Sequence, residues 1–292
     1  MNWNFERIAG PFDSQIGGIL IQDDELLFSL IEELLLQKLN FKNGSISTYR
    51  AYTGRMNGLA PAKDGSIFVC QEGGRRIIQL QPDGSANPTA TRFEGQIHNH
   101  PYDLCIDSKE RVWFSDPHSG TQAFGPQIFP PLPHASVMRL QRDQIGHWII
   151  KRMSFDTTAP KAILISKDEK SLLVAENPES ENHNRELRSY PIAEDGSLGK
   201  YTVLHTFGKD HIGIHSGIHG MSKNSSGEVY ACAGDLKSAR NAAIYRFTNN
   251  GQLLGVIPFP HSTPIRCSFA AQDDRNLYVT STDKCIYRLT LG

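Results

Sequence analysis

In Asp107-Ser108-Lys109-Glu110-Arg111-Val112-Trp113-Phe114-Ser115, a short acidic turn runs directly into a β-branched and aromatic strand. Asp and Ser close tight turns by bonding their own backbone, whereas Val, Trp and Phe fit a pleated, buried surface. The same unit recurs five more times. Asp23-Asp24 precedes Leu26–Ser29, Lys63-Asp64-Gly65-Ser66 precedes Ile67–Cys70, and Ser166-Lys167-Asp168-Glu169 precedes Leu172–Ala175. Asn224-Ser225-Ser226-Gly227 precedes Val229–Cys232, and Gln272-Asp273-Asp274 precedes Leu277–Thr280. The turns fall near residues 24, 64, 109, 169, 226 and 274, at spacings of 40, 45, 60, 57 and 48. Periods of roughly 40–50 residues with several strands per unit predict propeller blades.

Outer-strand candidates lie between these units: Arg76–Gln81 and Thr89–Phe93 about Pro82-Asp83-Gly84, and Ala242–Phe247 and Leu253–Ile257 about Asn249-Asn250-Gly251. The expectation is an all-β, six-bladed β-propeller with four-stranded blades, a single domain over residues 1–292. The last blade lacks a fourth strand after Leu291, and Trp3–Ile8 has no other place, so their pairing closes the ring and covers the edges. Residues 29–41, rich in Leu and Glu, have a helical alternative, set aside in favour of strand.

The net charge of −1 carries no electrostatic footprint for nucleic acid or for an anionic membrane surface. The apolar run at 26–36 is broken by Glu32 and Glu33, so it does not read as a membrane span. The first ten residues lack an apolar leader segment, and Cys70, Cys105, Cys232, Cys267 and Cys285 are scattered in apolar runs. Buried free thiols in a reducing, cytoplasmic setting are expected.

Asn57-Gly58-Leu59, Pro101-Tyr102-Asp103-Leu104, Trp113-Phe114-Ser115-Asp116-Pro117 and Leu277-Tyr278-Val279-Thr280-Ser281 together resemble the gluconolactonase, senescence-marker-protein and luciferin-regenerating-enzyme family of six-bladed propellers. The resemblance spans nearly the whole chain. It implies a lactonase-like activity, and in that family a divalent cation, usually calcium, sits at the mouth of the central channel. The positions it assigns to the cation's protein ligands carry Ile16, Lys161 and His219 here, and a substrate-side Asn is replaced by Tyr102. Isoleucine offers calcium no oxygen and a lysine ammonium repels it, so the expectation is no cofactor and no metal.

If each blade's first strand begins at the mouth, Ile16, Asn57, Tyr102, Lys161, His219 and Arg266 converge there. Glu72, Asp116, His118, Glu176 and Asp235 follow the second strands and rim the same mouth, near His98 and His100. Lys161, His219 and Tyr102 form the catalytic candidate set: lysine and histidine for acid–base or nucleophilic chemistry, the phenol as a hydrogen-bond donor to an oxyanion. Arg266, Asn57, Ile16, His100, Asp116, His118 and Glu176 are the substrate-binding candidates. Each also has a purely structural reading: Lys161 standing where the cation's charge would stand, His219 as a satisfied channel histidine, Tyr102 as a plug, Arg266 as a salt-bridge partner.

His211, His215 and His219 would align on a helix as a zinc or iron set, but the intervening Ile and Gly residues favour a loop leading into a strand. The Pro-rich segment 120–134 reads as a lid whose Phe124, Ile128, Phe129 and Leu132 give the pocket an apolar ceiling. The function expected is metal-independent chemistry on a carbonyl-bearing small molecule, by lactone-type hydrolysis or by a cyclisation or lyase reaction. A non-catalytic small-molecule binder, or a hydrolase holding a metal through histidines, stands as the alternative.

Overall fold

The computed structural model describes residues 3–120, 130–178, 183–209, 211, 213–234, 242–270 and 273–291. Each acidic turn folds for the same local reason. Asp64, Asp107, Asp168 and Asn224 each accept a backbone N–H two or four residues ahead through Oδ1. Asp23, Gly65, Glu110, Glu169 and Gly227 then take positive φ, between 50° and 94°. Only two of these five positions use the residue that adopts that conformation without strain; at Glu110 and Glu169 the Asp107 and Asp168 side-chain bonds hold the turn.

Each turn joins an inner strand to an antiparallel second strand, giving six four-stranded antiparallel sheets among the described residues. The inner strands are Ile16–Gln22, Met56–Pro61, Leu104–Ile106, Pro160–Ile165, Ile218–Lys223 and Pro264–Ala270. Each lies beside the next, and the last returns to the first, so the sheets form a closed ring of blades about a channel. Phe5–Ala9 pairs with Ile286–Thr290 as the outermost strand of the sixth blade, so the N-terminal strand closes the ring as expected.

The second strands explain why the sequence reads as continuous apolar runs there. A strand sends alternate side chains to opposite faces, and a blade packed between two others buries both. Phe68 and Cys70 pack toward the third blade while Ile67 and Val69 pack toward the first. Val112 and Phe114 face the second blade, and the fully buried Trp113 faces the fourth. Among the described residues six apolar clusters result, one at each blade–blade interface.

Residues 29–41 form strand as expected rather than the helical alternative: the strand Glu25–Leu30 turns through 31–34 into Leu35–Asn40, with Leu34 at φ 58°. One expectation needs correction. The fourth strand of the second blade is Ala86–Pro88 rather than Thr89–Phe93, and Arg92–Phe93 forms a separate two-stranded hairpin with Gln96–Ile97.

Glycines let the inner strands approach around the channel. A Cβ on Gly58 would lie 2.8 Å from Asp103 Cα, and one on Gly220 would lie 2.5 Å from the Ile265 carbonyl oxygen. Backbone cannot yield as a flexible side chain can. Gly58→Ala is therefore expected to cost about 1–3 kcal/mol from overpacking. Denaturant unfolding of that variant measures it, and wild-type stability would show that the blades can separate freely.

Candidate functional site

Arg266 is the centre of the channel. It stands in an otherwise uncharged inner strand, is 5% exposed, and crosses to the opposite blades. Its Nη2 donates to Asn57 Oδ1 at 2.7 Å and to the Tyr102 carbonyl at 3.0 Å, and its Nη1 pairs with Asp103 Oδ1 at 3.0 Å. Asp103 Oδ2 accepts the Ile163 backbone N–H. Burial pushes the Asp103 carboxyl upward, and the Arg266 guanidinium opposes that push. One ion pair thus joins the second, third, fourth and sixth blades.

Tyr102 lies over this belt, its ring centroid 4.2 Å from the Arg266 guanidinium. Its hydroxyl donates to the His219 carbonyl oxygen at 3.2 Å, and burial raises its pKa. The phenol proton is thereby committed to the fifth blade, an arrangement that suits a plug. The Lys161 ammonium lies 6.0 Å from the same ring centroid. His219 Nε2 lies 3.3 Å from the Gly234 carbonyl oxygen. Because a carbonyl only accepts, Nε2 carries the proton in the neutral ring, which makes Nδ1 its acceptor nitrogen.

Five of the expected residues therefore meet: Asn57, Tyr102, Lys161, His219 and Arg266, all at or beside the starts of inner strands, whereas Ile16 packs in the apolar cluster between the sixth and first blades. Asp103, the charge partner of Arg266, was not among the sequence candidates. Its signal was present: Asp103 stands immediately before one inner strand and Arg266 within another, and a buried carboxylate and guanidinium need each other as partners.

The remaining candidates do not join that group. Glu176, 1% exposed, accepts the backbone N–H groups of Thr158 and Ala159 and lies 4.0 Å from Arg188, so it braces its own blade. His118 is exposed. Glu72 pairs loosely with Arg55 at 3.7 Å, and burial raises its carboxyl pKa. Asp116 and His100 belong to a second network. Asp116, 1% exposed, accepts the Asn99 backbone N–H at 2.9 Å and lies 3.8 Å from His98 Nδ1. Asn99 in turn holds the Leu132 N–H and the His134 carbonyl, and Arg75 holds the His98 and Asn99 carbonyls. This network fixes the start of the third blade to residues 132–134.

Burial drives His98 and His100 down to about 4 and Asp116 up to about 7. A histidine whose folded pKa is lowered loses stability as pH falls from its ordinary value toward that lowered one, by about 1.4 kcal/mol per pH unit per group. A buried aspartate with a raised pKa works in the opposite direction, losing stability as pH rises toward 7. Two histidines against one aspartate predict net acid destabilisation between pH 6.5 and 4. His98 packs edge-on to Phe114 at 5.1 Å, so phenylalanine suits its surroundings. His98→Phe should flatten the fall in unfolding midpoint between pH 6.5 and 4.5, and an unchanged slope would contradict this assignment.

The histidine series is not helical. Lys209 and Ile214 form an antiparallel bridge, His215 N donates to the Gly208 carbonyl, and His219 lies in the inner strand. His205 packs edge-on to Phe207 and Phe247 and at a tilt to Tyr245. Among the described residues no three His, Cys, Asp or Glu side chains converge as a metal-holding group. Asp235 and most of the expected lid, including Phe124, Ile128 and Phe129, lie outside the described residues; Leu132 is buried. Four of the cysteines are buried as expected, Cys105 is half-buried, and all five are free thiols. No helix among the described residues is long and apolar enough to cross a membrane.

The donor chemistry at the mouth does not fit a hard dication. Calcium takes six to eight oxygen ligands. The expected ligand positions here carry a hydrocarbon side chain, an ammonium and an imidazole, above a buried guanidinium.

Residues 17–283 match the family described as SMP-30/Gluconolactonase/LRE-like region. The chain is 23% identical over 233 residues to a gluconolactonase of Zymomonas mobilis, covering 79% of this chain and only 62% of that relative's length. It is 24% identical over 253 residues to a 6-deoxy-6-sulfogluconolactonase of Pseudomonas putida, covering 85% of this chain and 75% of the relative. In structure it is similar to a gluconolactonase from Xanthomonas campestris, with a TM-score of 0.79, 24% identity and coverage of 99% and 90% of the two chains. A luciferin-regenerating enzyme follows at a TM-score of 0.75, 18% identity and coverage of 99% and 96%. At these identities the structural likeness speaks for the fold.

Proposed function

Starting from the finding that the chain belongs to the SMP-30/gluconolactonase/LRE-like family, we propose that it hydrolyses a lactone-type ester with its own cationic side chains in place of a metal ion. The observation that carries this reading is the pair of cations, Lys161 and Arg266, within 6.0 Å of the Tyr102 ring at the channel mouth. An ammonium at the mouth supports this reading, since nearby positive charge stabilises a developing oxyanion, and the Arg266–Asp103 ion pair braces the floor.

In this mechanism His219 takes a proton from water through Nδ1, and the water oxygen attacks the lactone carbonyl carbon. The carbonyl oxygen becomes anionic and is stabilised by the Lys161 ammonium. Collapse breaks the ring C–O bond, and the imidazolium returns its proton to the leaving alkoxide, giving a hydroxy acid. Atoms and charges balance without a further reactant. Tyr102 holds the backbone of His219 through its hydroxyl and acts as a positioning residue. Asn57, which accepts from Arg266, supports the floor in the same sense.

Proton release from a panel of five- and six-membered lactones, polar and apolar, tests the proposal. Hydrolysis of at least one, abolished in Lys161→Met, is expected. Binding of lactones without turnover would replace the enzyme by a small-molecule binder on the same mouth. The cyclisation or lyase reading has no residue that favours it over hydrolysis.

A further inference from the structure

Below the Arg266 belt the channel opens again. A cavity of about 320 Å³ is lined by residues 18–20, 58–61, 103–106, 163–164, 221–223 and 266–268, the later parts of all six inner strands. Lys161, His219 and Tyr102 precede these segments and lie on the other side of the belt.

The lining has a definite chemistry. Its charged side chains are Asp103, Arg266 and Lys223. Asp103 and Arg266 neutralise each other, which leaves the Lys223 ammonium, whose charge Glu169 and Asp168 offset only through space. Lys223 Nζ donates once, to the Ile165 carbonyl at 2.6 Å, although an ammonium has three protons. The acidic residues nearest it are turned elsewhere: Asp168 accepts from Ser166 and Lys170, and Glu169 accepts from Ser108. Burial lowers the Lys223 pKa, a cost that an anion would relieve. At the ceiling, Arg266 Nε is buried without a hydrogen-bond partner. Ser222 and Ser268 add hydroxyls, and inner strands present unpaired backbone N–H and C=O groups along their channel edge.

We propose that this lower chamber is a binding site for a small polyhydroxy carboxylate. The carboxylate pairs with Lys223 toward the open end, and an acceptor oxygen meets Arg266 Nε at the ceiling. The hydroxyls exchange hydrogen bonds with Ser222, Ser268 and the strand edges. The chamber has room for roughly ten waters at about 30 Å³ each, so a six-carbon acid enters with solvent to spare. The chamber shares Arg266 with the lactonase reading but neither Lys161 nor His219, so variants of Lys223 and of Lys161 separate the two.

Calorimetric titration of the full chain with sodium D-gluconate, and with D-sorbitol as the neutral counterpart, tests it. Saturable gluconate binding is expected, with sorbitol weaker by about tenfold or more, the worth of one charge-assisted hydrogen bond. Lys223→Gln should lose the same factor, Lys223→Arg should retain binding, and Lys161→Gln should leave it unchanged. Far-ultraviolet circular dichroism confirms that each variant is folded; if Lys223→Gln is not, Ser268→Leu, which fills the chamber, takes its place. No gluconate binding, or equal binding of sorbitol, overturns the proposal. Loss in Lys161→Gln with retention in Lys223→Gln moves the anion to the upper mouth and overturns it equally.

Discussion

Arg266→Ala should lower the unfolding free energy by about 3–5 kcal/mol, because it strands the Asp103 carboxylate inside the channel. The loss has several parts. Asn57 Oδ1 and the Tyr102 carbonyl each lose a buried donor, and the Tyr102 ring loses the cation beneath it. The residual carboxylate provides a signature. Burial already raises the Asp103 pKa against the opposing pull of Arg266, so removing the arginine raises it further. A carboxyl whose folded pKa lies above its unfolded value is tolerated below that unfolded value and penalised as pH climbs through the folded one. The deficit of Arg266→Ala should therefore be larger at pH 8 than at pH 5. Arg266→Met combined with Asp103→Leu should recover much of the loss, since it removes both charges together. Guanidinium denaturation across pH measures all three, and a pH-independent deficit would contradict the ion-pair account.

Lys161→Met and His219→Gln should carry the largest effects on turnover. Removing one oxyanion-stabilising group lowers kcat by about 10²–10³, and removing a general base lowers it by about 10²–10⁴. Because the two act in one step, the double variant should be little worse than the poorer single one. The pH dependence separates their roles. A rate limb that rises as the imidazole loses its proton should be present in wild type and absent in His219→Gln. Folding should be preserved, because Lys161 and His219 flank the Arg266–Asp103 pair without belonging to it. A mere loss of lactone affinity with unchanged kcat would assign both residues to binding.

The propeller was legible because its grammar is local. Six acidic or polar turns repeat in the chain, five of them closed by an Asp or Asn side chain, and each leads into a strand buried on both faces. The unpaired Trp3–Ile8 announced its own partner in the last blade. Leucine-rich 29–41 has helical propensity, yet strand was the right reading there, because its neighbours require a blade's second and third strands and tertiary packing overrides propensity. Thr89–Phe93 was misread as the fourth strand of its blade, which is Ala86–Pro88, because Arg92–Phe93 pairs locally with Gln96–Ile97. The level at which Asn57, Tyr102, Lys161, His219 and Arg266 meet followed from inner strands beginning at one mouth. The bonds among them did not, because Arg266 reaches Asn57 and Asp103 across more than 160 residues of sequence and the full width of the channel. Asp116 and His100 were expected at the mouth, but Asn99 and Arg75 draw them into the packing of residues 132–134. Residue type at a rim position says which groups are available there, and only the neighbours say which are already committed.

The central claim is that lysine and histidine do here what a cation does in relatives that bind one. The most direct test is the lactone hydrolysis rate of the purified protein before and after exhaustive treatment with a calcium- and zinc-binding chelator. The account predicts equal rates, no gain on adding calcium back, and loss in Lys161→Met. A rate that collapses on chelation and returns with calcium would contradict it.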